Sequence, residues 1–379
     1  MKNKILIGID GNEANLENRV GVNKYAFEIV WSIYKLLPDN SNLIVWVYLK
    51  HEPLFDMPKE NAQFKYKILR GGKVWILTKL MPHLFLTKEK PQVFFTPSHY
   101  LPPFLPMPAV CSIMDLGYLE FSAQFRKKDY WQLKWWTARS ISISKYIMTI
   151  SNATREDIVR QYPDSRDKVV VTYPGYDDAR ASEDEIQDVK ARYSIVNDYI
   201  LYLGTLKPSK NIEGLIEAWG KIVNDFPHIE LVIGGKKGWL YETIFKKVAE
   251  MGLSHRVLFT DFVPEEDKAA LIKGAKAFIL PSFWEGFGLD VLTAYALGVP
   301  VIAANVGSLP EVVGDAGIMI DPNNTNSIAE AIAKTLNMKR DDYAKMVEKE
   351  KEQLKKFSWK KTAEKTLEVL EKTANDIRR

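Results

Sequence analysis

The sequence predicts an α/β protein made of two Rossmann-like, doubly wound domains in tandem. Short apolar runs typical of strands recur along the 379 residues, and helical patterns such as 24–37 and 128–144 separate several of them. A polar segment near residue 178 divides the runs into two series. Because strands that alternate with helices favour parallel sheets covered on both faces, we predict one domain over 1–178 and a second over 179–357.

The predicted strands are rich in β-branched and aromatic residues and are bounded by turn residues. In the first domain they lie at 4–10, 42–49, 92–97, 108–115, 146–151 and 168–175. In the second domain they lie at 199–205, 228–235, 256–263, 275–282, 300–304 and 317–321. Ligands of doubly wound sheets bind beyond the carboxyl ends of the strands, so a tandem pair predicts a cleft between the domains.

The composition argues against several functional classes. A net charge of +4 gives no strong case for nucleic-acid binding. A single cysteine, Cys111, cannot form an intramolecular disulfide or a cysteine metal cluster, and the five histidines show no metal-ligand spacing. The start of the chain lacks the features of a signal peptide, and no apolar run approaches the ~20 residues of a membrane span. We therefore expect a cytoplasmic protein, at most attached to a membrane from one side.

The stretch EGFGLDVLTAYALGVPV at 285–301 follows a strand-like run that ends at Pro281. Gly286 and Gly288 lie where the backbone must turn sharply into a helix. The free amides and the positive dipole end of that helix suit an anion, particularly a phosphate. The alternative is that the glycines only form a tight turn between strand and helix.

The longer segment PSFWEGFGLDVLTAYALGVPVIAANVGSLPEVVGDAGIMIDP resembles the donor-site region of glycosyltransferase family 4, whose members are retaining enzymes with the GT-B fold. Further similarities are collinear and cover most of the chain, at 21–25, 149–162, 202–219 and 357–370. The resemblance implies the GT-B architecture, with two Rossmann-like domains that face each other across a cleft. It also implies that a C-terminal helix, 358–379, returns to the first domain.

The function implied by the resemblance is transfer of a hexose, most plausibly mannose or glucose, from a nucleotide-sugar to a glycan or lipid-linked acceptor, without a metal or other cofactor. Lys210 matches the phosphate-binding lysine, and Glu285 matches the glutamate that binds donor-sugar hydroxyls. Positive charge and amides stabilise the leaving diphosphate, because negative charge grows there as the glycosidic bond breaks. The other residues matched to the donor site are Gly21, Phe262, Gly286, Phe287, Gly288 and Leu289.

Four positions depart from the family pattern. Thr293 replaces the second glutamate of the E-x(7)-E motif, which holds the ribose, and could lie on the ligand-facing side of the helix. Ser209 replaces an arginine expected to bind the diphosphate, Met114 replaces a histidine that reaches the donor sugar, and Asn23 replaces the second glycine of G-x-G-[RK]-Y. Because loss of one charge-stabilising donor can cost ~10² to 10³ in rate, the alternative function is a weak or inactive homologue that acts as a binding or scaffold partner in a glycan pathway.

Lys207 is a candidate to replace the missing diphosphate cation, since it lies two residues before Ser209; the alternative is a solvated loop lysine. On the acceptor side, His99 and Asp115 follow predicted strands, beside Asn23 and Met114. His99 could face the cleft or be structural, and Asp115 could help the acceptor hydroxyl lose its proton or cap the following turn. The absence of a clear G-x-G-x-x-G near the N-terminus argues against a nicotinamide dehydrogenase.

The segment 125–146 combines basic residues with Trp131, Trp135 and Trp136. A basic aromatic helix can bind anionic lipid head groups, which would suit an enzyme that extends a lipid-linked glycan. The alternative is that the tryptophans are buried under a solvated basic face. The basic residues are Arg126, Lys127, Lys128, Lys134, Arg139 and Lys145.

Overall fold

In the computed structural model, which describes residues 4–122, 126–176 and 178–376, the chain forms two compact units. The N-terminal unit comprises Met1–Gly175 together with Phe357–Arg379, and the C-terminal unit comprises Tyr176–Lys356. Each unit is built on its own sheet, of seven and six strands respectively. The strand pairs of both sheets are parallel, which confirms the predicted fold class of two doubly wound domains.

The N-terminal unit has the strands β1 (Ile5–Asp10), β2 (Leu43–Leu49), β3 (Phe64–Ile68), β4 (Val93–Thr96), β5 (Ala109–Ile113), β6 (Tyr146–Thr149) and β7 (Val169–Val171). They are arranged in the order β3-β2-β1-β4-β5-β6-β7. Every residue of β1 is buried, as expected for a strand of a parallel sheet that helices cover on both faces.

Strand β3, one of the two edge strands of this sheet, was not predicted from the sequence. Its sequence, FKYKI, alternates apolar residues with lysines, whereas the strands that were predicted are nearly continuous apolar runs. The ammonium of Lys67 lies 3.8 Å from the centre of the Trp46 ring on the neighbouring strand. Such alternation is typical of an edge strand that has only one face covered, and β3 could have been recognised by it.

The helices of the N-terminal unit are α1 (Val22–Leu36), α2 (Met81–Leu86), α3 (Gly117–Glu120), α4 (Lys127–Ile143), α5 (Asn152–Gln161) and α14 (Trp359–Asn375). The last of these, α14, packs against α1 and buries Trp359, Leu367 and Leu370. A Cβ at Gly175 would lie 2.0 Å from the backbone nitrogen of Trp359, so the chain passes the start of α14 only because that residue is glycine.

The C-terminal unit has the strands β8 (Asp198–Leu203), β9 (Ile229–Gly234), β10 (Val257–Asp261), β11 (Ala277–Leu280), β12 (Val301–Ala304) and β13 (Ile318–Ile320), in the order β10-β9-β8-β11-β12-β13. Its helices are α6 (Glu183–Arg192), α7 (Ile212–Ile222), α8 (Glu242–Glu250), α9 (Glu265–Lys273), α10 (Leu289–Ala296), α11 (Leu309–Val313), α12 (Thr325–Leu336) and α13 (Arg340–Leu354). No helix in the described ranges of either unit is long and apolar enough to cross a bilayer.

Each sheet has one point at which the order of its strands reverses. In the N-terminal unit this point lies between β1 and β4, and in the C-terminal unit it lies between β8 and β11. Loops that leave neighbouring strands in opposite directions open a crevice, and ligands of doubly wound sheets bind there. The crevice in the C-terminal unit is therefore bordered by the loops at 204–211 and 281–288, and the one in the N-terminal unit by the loops at 11–21 and 97–108.

Candidate functional site

Lys210 and Glu285 form an ion pair at the crevice of the C-terminal unit. Lys210 ends a short turn after β8, and Glu285 lies in the loop between β11 and α10. The ammonium of Lys210 contacts Oε2 of Glu285, and the hydroxyl of Ser282 donates to the same oxygen at 3.2 Å. The two charged side chains are only 16% and 18% exposed, so their attraction is less screened than that of a surface pair.

Asn211 ties the two loops of this crevice together, and the sequence analysis did not single it out. Its side-chain amide donates to the carbonyl oxygens of Pro281 at 3.0 Å and Pro322 at 2.7 Å. Its backbone has a left-handed φ of 53°, which asparagine tolerates better than most residues. A Cβ at Gly214 would lie 2.3 Å from Oδ1 of Asn211, so glycine is required one helical turn later.

The main chain around Glu285 is also fixed by close packing. A Cβ at Gly307, whose φ is +55°, would lie 2.6 Å from the carbonyl oxygen of Glu285. The backbone nitrogen and the hydroxyl of Ser308 donate to the same oxygen at 3.3 and 3.1 Å. The position of Glu285 is therefore determined from both sides, by the loop after β12 and by the loop after β8.

Helix α10 begins at Leu289, directly after the glycine-rich turn. Gly288 has a φ of +85° and no side chain to cap the first turn. A Cβ there would lie 2.9 Å from Cδ2 of Leu309, so the residue is required both for its φ and for its size. The side chain of Phe287 is buried in the core, at 4% exposure. The backbone of Gly286 and Phe287, rather than the Phe287 ring, therefore borders the crevice.

Thr293 lies on the more open face of α10. Glu285 precedes the helix, whereas Thr293 lies one turn beyond Leu289, so the two residues occupy different elements. Leu289, Asp290, Thr293 and Ala296 are partly exposed, whereas the other four residues of the helix are buried: Val291, Leu292, Ala294 and Tyr295. Thr293 therefore lies on the partly exposed face of α10, with a short hydroxyl where the family pattern has a carboxylate.

Ser209 offers no positive charge and is buried at 5% exposure, and its carbonyl oxygen accepts from the backbone nitrogen of Phe283 at 2.9 Å. Lys207 is half-buried and already interacts with other groups of the protein. Phe262, predicted to lie near the nucleotide base, follows β10 at the same edge of the sheet and is 46% exposed.

A second glycine-rich loop, GGKKG at 234–238, packs against the loop that leads to Lys210. The backbone nitrogen of Leu206 donates to Lys236 at 3.0 Å, and the backbone nitrogen of Gly238 donates to Leu206 at 2.9 Å. The side chain of Lys236 is exposed and has no ion-pair partner in the part of the chain that the structure describes. The sequence analysis missed this cation, although a basic glycine-rich turn after a strand was a usable indication of it.

The acceptor-side residues Asn23 and His99 lie at the crevice of the N-terminal unit. The side-chain amide of Asn23, next to Gly21 at the start of α1, donates to the carboxylate of Glu13. His99 follows β4, and its Nε2 is buried without a hydrogen-bond partner among the described residues. Burial lowers the pKa of His99 to about 4, so its ring is neutral at neutral pH.

Met114 and Asp115 follow β5 and lie half-buried. The carbonyl oxygen of Met114 accepts from the hydroxyl of Thr154 at 3.0 Å. Oδ1 of Asp115 accepts from the backbone nitrogen of Gly117 at 2.8 Å, at the start of α3. The carboxylate of Asp115 therefore caps the following turn.

The tryptophans of α4 divide between the surface and the core. Trp131 and Trp135 are 62% and 54% exposed, whereas Trp136 is buried at 9%. The ammonium of Lys134 lies 5.2 Å from the centre of the Trp131 ring, and Arg126, Lys127 and Lys128 are exposed. Phe125, the first residue of the basic aromatic segment in the sequence analysis, lies outside the described residues.

Comparisons with known proteins give a family match that lies within the C-terminal unit. Residues 188–353 match the family described as glycosyl transferases group 1. The chain is 32% identical over 288 residues to the O-antigen chain mannosyltransferase B of Escherichia coli, a match that covers 74% of each protein. It is 30% identical over 229 residues to the serotype-specific mannosyltransferase WbdA of the same species; this match covers 59% of the chain and only 28% of WbdA.

Solved structures give the same fold for the whole chain. HepE from Anabaena, in complex with UDP and glucose, superimposes with a TM-score of 0.73 at 16% identity and covers 97% of this chain and 100% of its own. That likeness concerns the fold, whereas the family follows from the sequence matches. The chain belongs to the glycosyl transferases group 1 family and is a glycosyltransferase with the GT-B fold.

Proposed function

We propose that the protein is a retaining, metal-independent hexosyltransferase that moves mannose from a nucleotide-sugar to a glycan or lipid-linked acceptor. The observation that carries this proposal is the Lys210–Glu285 pair at the crevice of the C-terminal unit. The family and the mannosyltransferase relatives support a mannosyl donor, and glucose is the second choice.

The residues of the crevice have separate tasks in this proposal. As the bond between the anomeric carbon and the diphosphate breaks, its electron pair leaves with the diphosphate, and Lys210 and the amides before α10 stabilise that charge. Glu285 accepts hydrogen bonds from hydroxyls of the donor sugar. The acceptor oxygen forms the new bond to the anomeric carbon, and its proton passes to the departing diphosphate. We further propose that Gly21, Phe262 and Thr293 contact the donor.

The test is an activity assay with GDP-mannose, UDP-glucose and other common nucleotide-sugars, in the presence of EDTA, on mannosyl acceptors. Transfer that survives EDTA and retains the anomeric configuration, read by NMR, supports the proposal. We expect Lys210→Ala to lower turnover by ~10² or more, because one preorganised charge-stabilising group is lost. Lys276→Ala is the matched control, because Lys276 forms its 2.9 Å ion pair with Asp198 at the opposite end of β8. Nucleotide binding without any transfer would favour a binding role instead.

We also propose that α4 contacts anionic lipid, which would bring the protein to a lipid-linked acceptor. The exposed rings of Trp131 and Trp135 beside exposed lysines support this, since aromatic and basic side chains together suit a lipid head-group region. We expect binding to phosphatidylglycerol vesicles at low salt, and loss of it in the double variant Trp131→Ala, Trp135→Ala. Phe55→Ala is the control, because Phe55 is a fully exposed aromatic residue elsewhere in the same unit. No sedimentation with vesicles would end this proposal.

A further inference from the structure

Glu13 is a half-buried carboxylate at the crevice of the N-terminal unit. It lies in the loop that follows β1, and one of its oxygens accepts from the side chain of Asn23. Burial raises the pKa of Glu13, while the charge of Lys50 and the hydrogen bond from Asn23 act against that rise. A carboxylate has room for about four hydrogen bonds, so the bond from Asn23 leaves acceptor capacity open to a ligand.

Tyr100, from the loop after β4, adds an aromatic ring to the same crevice. Burial, and then the charges of Glu13 and Asp129, raise the pKa of its hydroxyl, so Glu13 lies within electrostatic reach of Tyr100. The Tyr100 ring packs edge-on against Trp136 with centroids 5.5 Å apart, and it lies tilted against His99 with centroids 3.9 Å apart. The ring is thus held in place from two sides, next to a histidine whose Nε2 has no partner among the described residues.

These groups match a neutral polyol better than a cation or an anion. The positive charge of Lys50 lies near both Glu13 and Asp10, which makes the crevice less attractive to a cation. The two carboxylates, in turn, disfavour an anion. A sugar offers hydroxyl donors for a carboxylate and an apolar ring face for an aromatic side chain.

We propose that Glu13, held by Asn23 at the crevice that also carries the ring of Tyr100, binds hydroxyls of the acceptor sugar. The inference rests on the proposed function, because it names a binding group for the acceptor of that reaction. Glu13 is a loop residue, and it gains this role because α1 brings Asn23 to it. The Asn23 that departs from the family pattern therefore positions the carboxylate that we assign to the acceptor.

The test uses four probes, the octyl glycosides of mannose, glucose, galactose and N-acetylglucosamine, with the full chain. Binding is read by saturation-transfer NMR, and transfer is read with the donor that the wild type uses. Glu13→Gln keeps the shape of the side chain and an oxygen that can accept from Asn23. Glu17→Gln is the matched control, since Glu17 is an exposed glutamate of the same loop.

We expect Glu13→Gln to raise the KM for the acceptor about tenfold, the usual effect of losing a charged hydrogen-bond partner, with little change in nucleotide affinity. Acceptor-independent hydrolysis of the donor and the thermal unfolding temperature should also stay near wild type. A purely structural role for Glu13 would leave the acceptor KM of Glu13→Gln unchanged, and that result overturns the inference. An absence of saturation transfer from the wild-type protein to any of the four glycosides would overturn it as well. Failure of nucleotide binding or donor hydrolysis in the wild type would instead count against the proposed function, so the two failures are distinguishable.

Discussion

The ammonium of Lys210 and the carboxylate of Glu285 are partners across two loops that lie 75 residues apart in the chain. In the proposed reaction, one of them binds the diphosphate and the other binds the sugar. When the donor binds, Lys210 therefore interacts with both Glu285 and the diphosphate, and Glu285 interacts with both Lys210 and the sugar. Before the donor binds, the ion pair keeps both side chains oriented, and the carboxylate of Glu285 competes with the diphosphate for Lys210.

This competition predicts opposite effects of Glu285→Gln on binding and on transfer. Without the negative charge, Lys210 is free for the diphosphate, so we expect GDP or UDP to bind about threefold to tenfold more tightly, which corresponds to roughly 1 kcal/mol. Transfer should fall by ~10² or more, since the sugar loses its carboxylate. Calorimetry and turnover measurements check both effects, with the exposed Glu266→Gln as control. Unchanged nucleotide affinity would contradict the competition.

A second cation near the diphosphate is expected because Ser209 supplies none. Lys207 and Lys236 are the candidates, since the loops that carry them are joined by backbone hydrogen bonds at Leu206. We predict that alanine at the correct position weakens binding of the nucleoside diphosphate about threefold to tenfold and leaves binding of the free nucleoside unchanged. Calorimetry of Lys207→Ala and Lys236→Ala with the nucleoside diphosphate and with the free nucleoside shows which lysine contacts the diphosphate. If Lys207→Ala alters neither turnover nor nucleotide affinity, the assignment of Lys207 is wrong.

Asn211 should be important for stability as well as for the site. Asn211→Ala leaves the carbonyl oxygens of Pro281 and Pro322 without their partner, so we expect the free energy of unfolding to fall by about 2 to 4 kcal/mol. Asn211→Gly loses the same hydrogen bonds but tolerates the left-handed φ, and it should be about 1 kcal/mol less harmful. Urea denaturation compares the two variants. Equal losses would show that the backbone conformation contributes nothing measurable.

Glu350 predicts a pH dependence of stability. Its side chain is fully buried on α13, both its oxygens lack partners among the described residues, and burial raises its pKa from 4.5 to about 8. The folded state therefore keeps this proton to a higher pH than the unfolded chain does. The free energy of unfolding should fall as the pH rises from 4.5 to about 8 and level off above, by at most roughly 5 kcal/mol.

Glu350→Gln removes the titrating group. Between pH 5 and pH 9 the wild type should therefore lose more unfolding free energy than the variant does. Denaturation at several pH values gives this difference. The exposed Glu348→Gln on the same helix should run parallel to wild type. Parallel curves for Glu350→Gln would mean that its carboxyl group ionises in the folded protein near its ordinary pKa.

The sequence was informative where a pattern is local. Most strands were predictable because buried parallel strands are continuous apolar runs, whereas β3 alternates with lysines at a sheet edge. Lys210 and Glu285 were predictable through the family motif, but their contact was not, since it depends on loops that only the sheet order brings together. Asn211 and Glu13 carried no periodic pattern. The significance of Asn211 comes from a partner 111 residues away, Pro322, and that of Glu13 comes from Asn23 at the start of the following helix.

The return of α14 to the N-terminal unit has a consequence for synthesis on the ribosome. The strands of that unit emerge first, but the helix that covers Tyr25 and buries Trp359 and Leu370 emerges only after the whole C-terminal unit. At ~5 to 20 residues per second, the roughly 180 residues between them impose a wait of about 10 to 40 s. The C-terminal unit, which is continuous in the chain, can complete its fold during translation, whereas the N-terminal unit must finish last.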